Sequence, residues 1–359
     1  MKSDTYEFDA NLATAATPPS WWYTSADFLA LEKEKVLARH WQLVGRAEQA
    51  AQPGQFFTAE IAGEPIIVAR GGDGKLRAFS NVCRHRAGPV ATGEGACKRF
   101  RCAYHGWTYA LDGALLGTPE FAGVEGFDQS AHVLPQFQAK TWGGLIFANL
   151  DAKAAPLGEF LEDLPERLAG RGMSKMKLAA RKEWELNANW KTYVDNYLEG
   201  YHIPSVHPGL NQEIDYGGYW TETKKHYSIQ HSPIRPDQAA RLRLVEGAEP
   251  AALFIWLYPN LMLNIYPDNY STNLIIPLGP ERALTIFEWY FRDPETPETQ
   301  AKIKQTIELS DEIQIEDINI CEAVQRGLRS RHYDKGRYSV KRENGVHHFH
   351  KLLADSLQK

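Results

Sequence analysis

Cysteine is scarce. Four residues in a chain of 359 are too few for a disulfide scaffold. Long apolar runs are missing as well: no window reaches the roughly 18 apolar residues of a membrane span, and Met1 to Ser20 lacks a basic stretch followed by an apolar run. The expectation is a cytoplasmic protein with neither signal peptide nor membrane span. Charge of one sign is not in excess, since 40 basic against 45 acidic side chains leave −5, which gives nucleic acid or an anionic membrane no reason to bind. No fixed-period repeat or low-complexity tract is visible. No glycine loop of dinucleotide-binding form follows a strand-like run, so neither a nicotinamide nor a flavin site is expected, and reducing electrons must come from elsewhere. What remains, 43% hydrophobic and 24% charged, is an ordinary globular composition, long enough for two domains with real cores.

Two of the four cysteines stand in a pattern. Cys83-Arg84-His85 is separated by sixteen residues from Cys102-Ala103-Tyr104-His105, which places two thiolates and two imidazoles in two short loops. A Cys₂His₂ set can close a structural zinc site. Zinc fingers, however, pair Cys with Cys and His with His, whereas here each loop carries one of each. The mixed spacing suits a [2Fe–2S] cluster in which one iron takes both Cys and the other both His. Cys97 and Cys321 are left as reduced thiols.

In chain order, residues 1–20 are small and polar, ending in Pro18-Pro19, and read as loose or laid over a neighbour. Thr24 to His40 reads as an amphipathic helix with a capping residue first. Short strands broken by turn signals follow at Gln55 to Ile61, Pro65 to Arg70 and Leu76 to Ser80, with a last one at Gly143 to Asn149. A small antiparallel β domain is expected, with the Cys/His loops emerging from it. Beyond it, Leu157 to Ala169 looks helical and Lys182 to Leu186 strand-like. Strands are expected at Leu253 to Tyr258, Met262 to Tyr266, Asn273 to Pro277 and Ala283 to Phe291, and long helices around 298–329 and 343–357. Strand runs with separate long helices argue α+β rather than a doubly wound parallel sheet.

A second metal site is written into two segments. Asn189 to Tyr201 reads as a helix stopped by Pro204, with Asn196, Glu199 and His202 at every third residue and therefore on one face. His207 follows just past the proline, where the chain can fold back toward the helix end. In the distal helix Ile313, Asp317, Ile320, Val324 and Leu328 make a stripe that is apolar apart from Asp317. A carboxylate there needs a partner, either an Arg near positions 326–329 or a metal. With two histidines at hand, the facial triad of two His and one carboxylate that holds non-heme Fe(II) is the better reading. Asp311, Glu312, Glu316 and Glu322 fall off the stripe and need no special role.

The runs Cys-Arg-His-Arg-Ala-Gly and Cys-Ala-Tyr-His-Gly-Trp-Thr-Tyr closely resemble the cluster loops of Rieske non-heme iron oxygenase α subunits. The runs Asn-x₂-Glu-x₂-His-x₄-His and Glu-Asp-x₄-Glu-x₂-Gln-x-Gly-Leu resemble the iron segments of the same family. Respiratory Rieske proteins are disfavoured, because Gly88 and Tyr104 stand where those carry an extra disulfide pair. Tyr258-Pro-Asn-Leu-Met-Leu-Asn-Ile-Tyr and Thr272-Asn-Leu-Ile-Ile-Pro-Leu-Gly-Pro look more like the choline and carnitine monooxygenase branch, as does Glu at position 199.

The resemblance implies an arm and helix over 1–41, a Rieske [2Fe–2S] domain over 42–152 and a helix-grip-like α+β domain with an antiparallel sheet over 153–359. It implies Cys83, His85, Cys102 and His105 on the cluster, and His202, His207 and Asp317 on a mononuclear iron. Asn196 is placed in the catalytic site, and Glu199 is the acidic bridge to a cluster histidine of a neighbouring subunit. Partners implied are O₂, a small substrate, a separate flavin or iron–sulfur reductase or ferredoxin passing electrons from NAD(P)H, and further copies of the chain in a trimer. The expected activity is monooxygenation of a quaternary ammonium or N-methyl compound; a ring-hydroxylating oxygenase is the alternative, and a Rieske electron-transfer protein the alternative of another class. Trp256, Tyr258, Tyr266, Trp289 and Tyr290 are candidates for a cation–π cage, and Glu288 for its counter-charge, although core packing is the better reading of each aromatic taken singly and Glu288 fits the solvent face as well.

Overall fold

Alternating apolar residues broken by glycine turns build the middle of the chain into strands, as the β-branched and aromatic content of those runs favours. The computed structural model describes residues 7–235 and 251–358, arranged as two compact units, one of residues 37–160 and one of 7–36 with 161–358. Residues 1–6 of the expected arm lie outside the described residues.

In the first unit β1 (Gln42–Arg46), β2 (Gln55–Ile61), β3 (Glu64–Arg70), β4 (Leu76–Ser80), β5 (Glu94–Ala96), β9 (Gln136–Trp142) and β10 (Leu145–Asn149) form one antiparallel sheet in the order β1-β10-β9-β4-β3-β2-β5. A second small sheet joins β6 (Phe100–Arg101), β7 (Thr108–Tyr109) and β8 (Leu115–Gly117). One Cys/His loop follows β4 and the other connects β6 to β7.

The second unit begins with the segment read as loose or laid over a neighbour. Its residues are laid against another part of the chain: Thr17 N donates to Gly336 O at 3.1 Å, and the Arg337 guanidinium donates to the carbonyls of Ala13 and Ala15 at 2.7 and 3.0 Å. Helix α1 (Ala26–Glu32) is capped by Ser25, one residue after the expected cap, through its side chain to Phe28 N. The helix expected over 157–169 is broken into α2 (Leu157–Leu161) and α3 (Leu164–Leu168), because Glu162 takes φ 55° and Pro165 opens the second piece. The Glu162 carboxylate accepts from His226 N at 2.8 Å, which holds that unusual backbone in place.

Strands β11 (Lys177–Leu186), β12 (Trp220–Thr223), β13 (Tyr227–Pro233), β14 (Ala251–Leu257), β15 (Leu261–Ile265), β16 (Asn269–Gly279) and β17 (Arg282–Phe291) form an antiparallel sheet in the order β11-β17-β16-β15-β14-β13-β12. Between β11 and β12 lie α4 (Trp190–Tyr197), α5 (Ile203–Val206) and α6 (Pro208–Glu213), and after β17 come α7 (Pro297–Leu328) and α8 (Asn344–Leu357). The α+β expectation holds. No helix among the described residues is long and apolar enough to cross a membrane.

Two sequence expectations fail in ways that matter for the site. The helix expected to reach Tyr201 ends at Tyr197 with Leu198 as its cap, and Pro204 opens α5 rather than stopping α4. Glu199 and His202 therefore sit in the turn between helices, not on one face with Asn196. The inward face of α7 is also not apolar: Gln314, Cys321 and Gln325 are buried, while Val324 is 45% exposed. Buried amides do the work expected of aliphatics, with Gln325 accepting from Asn189 N and donating to Tyr23 O at 2.9 and 3.0 Å.

Candidate active site

The triad is assembled by local stops in the chain. Asn189 caps α4 through Oδ1 to Lys191 N at 3.0 Å. At Gly200 an added Cβ would lie 2.6 Å from the Tyr219 ring, so only glycine lets the chain turn there. That turn brings His202 and His207 toward Asp317 on α7. Ligand atoms of these three residues lie within 4.8 Å of one another. His207 Nε2 is 3.1 Å from Asp317 Oδ1, and His202 Nε2 is 3.8 Å from the same oxygen. Asn196 Nδ2 donates to that oxygen at 2.6 Å and aims the carboxylate.

Both imidazoles have their far nitrogen engaged. His202 Nδ1 lies 2.6 Å from Glu199 Oε1, and His207 Nδ1 lies 2.6 Å from Glu316 Oε2. Metal-ligating histidines commonly have this arrangement, because the outer carboxylate fixes the tautomer and leaves Nε2 as the donor. Burial pushes the His207 pKa down, yet Asp317 and Glu316 outweigh it and leave it raised. A site that draws a proton so strongly also suits a divalent cation. Two imidazoles and one carboxylate with room beside them fit ferrous iron. Glu316 was missed in the sequence, where its only signal is adjacency to Asp317.

Beside the triad opens a cavity of about 670 Å³. Its floor is one cross-strand row of the sheet: Gln230 pairs with Phe254, Phe254 with Asn264, Asn264 with Ser271, and Ser271 with Trp289. Of the proposed aromatic cage, Tyr266 and Trp289 line the cavity, joined by Tyr197, Tyr219 and Phe254. Trp256 and Tyr258 do not. Trp256 shares the sheet face of Phe254 but lies one row further along, where Phe349 of α8 covers it at 5.3 Å between ring centroids. The Tyr258 hydroxyl is tied to Ser356 Oγ at 2.9 Å. Tyr290 is stacked on Tyr270, 4.4 Å between centroids, and Glu288 is ion-paired with Arg181 at 3.1 Å, so neither serves the cavity.

In the other unit the two Cys/His loops are drawn together. Gly88 permits it, since a Cβ there would stand 3.2 Å from Cys102 Sγ. Cys83 and Cys102 are buried in a shared core with Trp107 and Tyr109. The rings of His85 and His105 lie 4.6 Å apart, and His85 stacks on Trp107 at 4.9 Å. The Tyr109 hydroxyl is 3.3 Å from Cys83 Sγ, and His85 Nδ1 is buried without a hydrogen-bond partner. Burial, with Cys83 alongside, raises the Cys102 thiol pKa. A buried imidazole nitrogen with nothing to bond and two buried thiols fit iron ligation, which supplies the missing positive charge.

Comparison with known proteins agrees with this geometry. Residues 40–129 match the Rieske [2Fe–2S] domain, and residues 173–359 match the ring hydroxylating α subunit catalytic domain. The chain is 38% identical to chloroplastic choline monooxygenase of Arabidopsis thaliana, over 98% of this chain and 86% of that protein. It is 34% identical to the carnitine monooxygenase oxygenase subunit of Escherichia coli (strain K12), over 97% and 95%. The structure of the quaternary ammonium Rieske monooxygenase CntA with L-carnitine superposes with a TM-score of 0.84 at 32% identity, covering 98% of each chain. Naphthalene 1,2-dioxygenase shares the fold, with a TM-score of 0.76 at 18% identity over 96% of this chain and 92% of that one. This chain, an oxidoreductase, belongs to the Rieske-type ring-hydroxylating oxygenase α-subunit family.

Proposed function

We propose that this chain is the terminal oxygenase of a Rieske monooxygenase acting on a small quaternary ammonium or N-methyl compound, with mononuclear iron on His202, His207 and Asp317 and a [2Fe–2S] cluster on Cys83, His85, Cys102 and His105. The observation that carries the reading is the triad itself, with each Nδ1 tied to a carboxylate and an aromatic cavity beside it. The substrate class is supported by the similarity to choline and carnitine monooxygenases and by Tyr197, Tyr219, Tyr266 and Trp289 in the lining, whose ring faces attract a cation.

When bound, the two iron groups supply one-electron storage and dioxygen activation. The chain's own residues do the rest. Asn196 and the paired carboxylates hold the ligands in one orientation, and the aromatic wall takes the cationic end and excludes water. Hydroxylation of an N-methyl carbon gives a product that loses formaldehyde; on an alcohol arm it gives an aldehyde hydrate. Glu199, which orients His202, is the residue we assign to the link with a cluster histidine of a neighbouring copy. A trimer and a separate reductase drawing on NAD(P)H complete the assignment, with the arm over 1–41, the cluster domain over 42–152 and the iron domain over 153–359. Free thiols at Cys97 and Cys321 suit a reducing compartment such as the cytoplasm.

Metal analysis of His202→Ala and Asp317→Ala tests the reading. Each variant should keep the visible absorption of the cluster, lose the mononuclear iron and lose substrate-dependent oxygen uptake. Retention of all iron with unchanged uptake would refute the triad.

A further inference from the structure

The cavity carries a polar feature that the aromatic-cage reading leaves unused. Asn264 stands at the centre of a fixed hydrogen-bond ladder. Its Oδ1 accepts from the Tyr197 hydroxyl at 2.9 Å, and its Nδ2 donates to Ser271 Oγ at 2.9 Å and Asn273 Oδ1 at 3.2 Å. These bonds set the Asn264 amide with its oxygen toward Tyr197 and its nitrogen toward Ser271 and Asn273. Ser271 and Asn273 are 5% exposed each, and both line the cavity. The Ser271 hydroxyl hydrogen and the Asn273 amide hydrogens bond to no described residue, so the wall presents neutral donors to whatever fills the space.

Charge in the lining is arranged differently. Among the described residues Lys302 is the lone ammonium or guanidinium in the lining, and its Nζ is 3.3 Å from Asp268 Oδ2. The remaining carboxylates there are Glu199 and Asp317, both engaged with the triad. A substrate carboxylate entering this space would give up its water and find no unpaired cationic side chain among the described residues. A hydroxyl gives up much less and recovers it from Ser271 and Asn273.

We propose that the Asn264–Ser271–Asn273 ladder is a specificity-determining wall that selects an ammonium compound bearing an uncharged hydroxyl over one bearing a free carboxylate. This rests on the quaternary ammonium reading above and names the part of the substrate that the sheet recognises. The three residues act on ground-state recognition and touch the arm of the substrate remote from the ammonium group.

Equilibrium binding to the iron- and cluster-loaded full chain tests it, with choline, propyltrimethylammonium (a methyl group in place of the hydroxyl) and γ-butyrobetaine as probes. Choline should bind roughly three- to tenfold tighter than propyltrimethylammonium, as one or two neutral hydrogen bonds allow, and γ-butyrobetaine should bind weakest. Ser271→Ala and Asn273→Leu should each bring the ratio of choline to propyltrimethylammonium affinity toward one, and Lys302→Met should leave that ratio unchanged. The visible cluster spectrum of each variant establishes that it is folded. A ratio near one in the unaltered chain overturns the ladder while leaving the quaternary ammonium reading intact. So does γ-butyrobetaine binding as tightly as choline and losing affinity in Lys302→Met, which would make Lys302 a carboxylate anchor. If no cation binds a chain that holds both irons, the quaternary ammonium reading falls and the ladder with it.

Discussion

The Nδ1 of His207 lies 2.6 Å from Glu316 Oε2 while its Nε2 lies 3.1 Å from Asp317 Oδ1, so two consecutive residues of α7 hold one imidazole from opposite sides. One carboxylate orients the ring and the other shares its ligand edge. Glu316→Leu removes the orienting partner and keeps all three donor atoms. Iron affinity should fall roughly 10- to 100-fold, the usual cost of losing an outer carboxylate on a ligating histidine. Chelator competition measures it, and the cluster's absorption should not change.

The Tyr109 hydroxyl reaches Cys83 Sγ at 3.3 Å and accepts from Arg84 N at 3.0 Å. A hydrogen bond to a ligating sulfur stabilises the reduced, more electron-rich state. Tyr109→Phe should therefore lower the cluster's reduction potential by roughly 20–60 mV, taking one hydrogen bond at about 0.5–1.5 kcal/mol and about 59 mV per tenfold for one electron. A spectroelectrochemical titration reads this directly; a potential unchanged or raised would contradict the assignment.

Much of this site could be read from the chain because its ligands cluster in short runs with their turn residues beside them. Gly88 and Pro204 sit next to ligands, and the strands of both sheets announce themselves by alternation. What could not be read depended on distant partners. The stop of α4 after Tyr197 is set by Gly200 against the Tyr219 ring, a contact nineteen residues away in sequence. Phe254 and Trp256 have the same strand parity, and α8 alone decides that one faces the cavity and the other the core. The ladder of Asn264, Ser271 and Asn273 depends on the register that sets Asn264 opposite Ser271. The buried face of α7 carries amides because Gln314 and Gln325 find buried partners that the helix pattern does not reveal.

Glu32 of α1 and Lys191 of α4 are both fully buried, with Lys191 Nζ 2.8 Å from Glu32 Oε1 and 2.8 Å from Asn189 Oδ1. Burial pushes the Glu32 pKa up and the Lys191 pKa down, and their mutual attraction opposes both. Lys191→Met strands a buried carboxylate and should destabilise the chain by roughly 3–5 kcal/mol. The double variant Glu32→Leu with Lys191→Met should recover most of that loss in urea unfolding.

His348 makes stability sensitive to acid. Burial, helped by nearby Lys351, pushes its pKa down to about 4 from the ordinary 6.5. Between those values the unfolded chain binds a proton that the folded chain refuses. Its contribution is therefore complete above about pH 6.5 and is lost as the pH falls toward about 4, in total roughly 3 kcal/mol. Urea midpoints at pH 7.5 and pH 5 should separate further in the unaltered chain than in His348→Phe. Equal separation would show that His348 is not the group responsible.

The most direct measurement of the whole account is a single turnover. The purified chain, loaded with both irons and chemically reduced, is mixed with oxygen and choline, carnitine, γ-butyrobetaine or an aromatic acid in turn, and the products are assayed as formaldehyde, amino aldehyde or hydroxylated arene. The account predicts an oxidised product from a quaternary ammonium compound and none from the arene. Product from the arene alone, or oxygen consumed with no organic product while both irons are present, would contradict it.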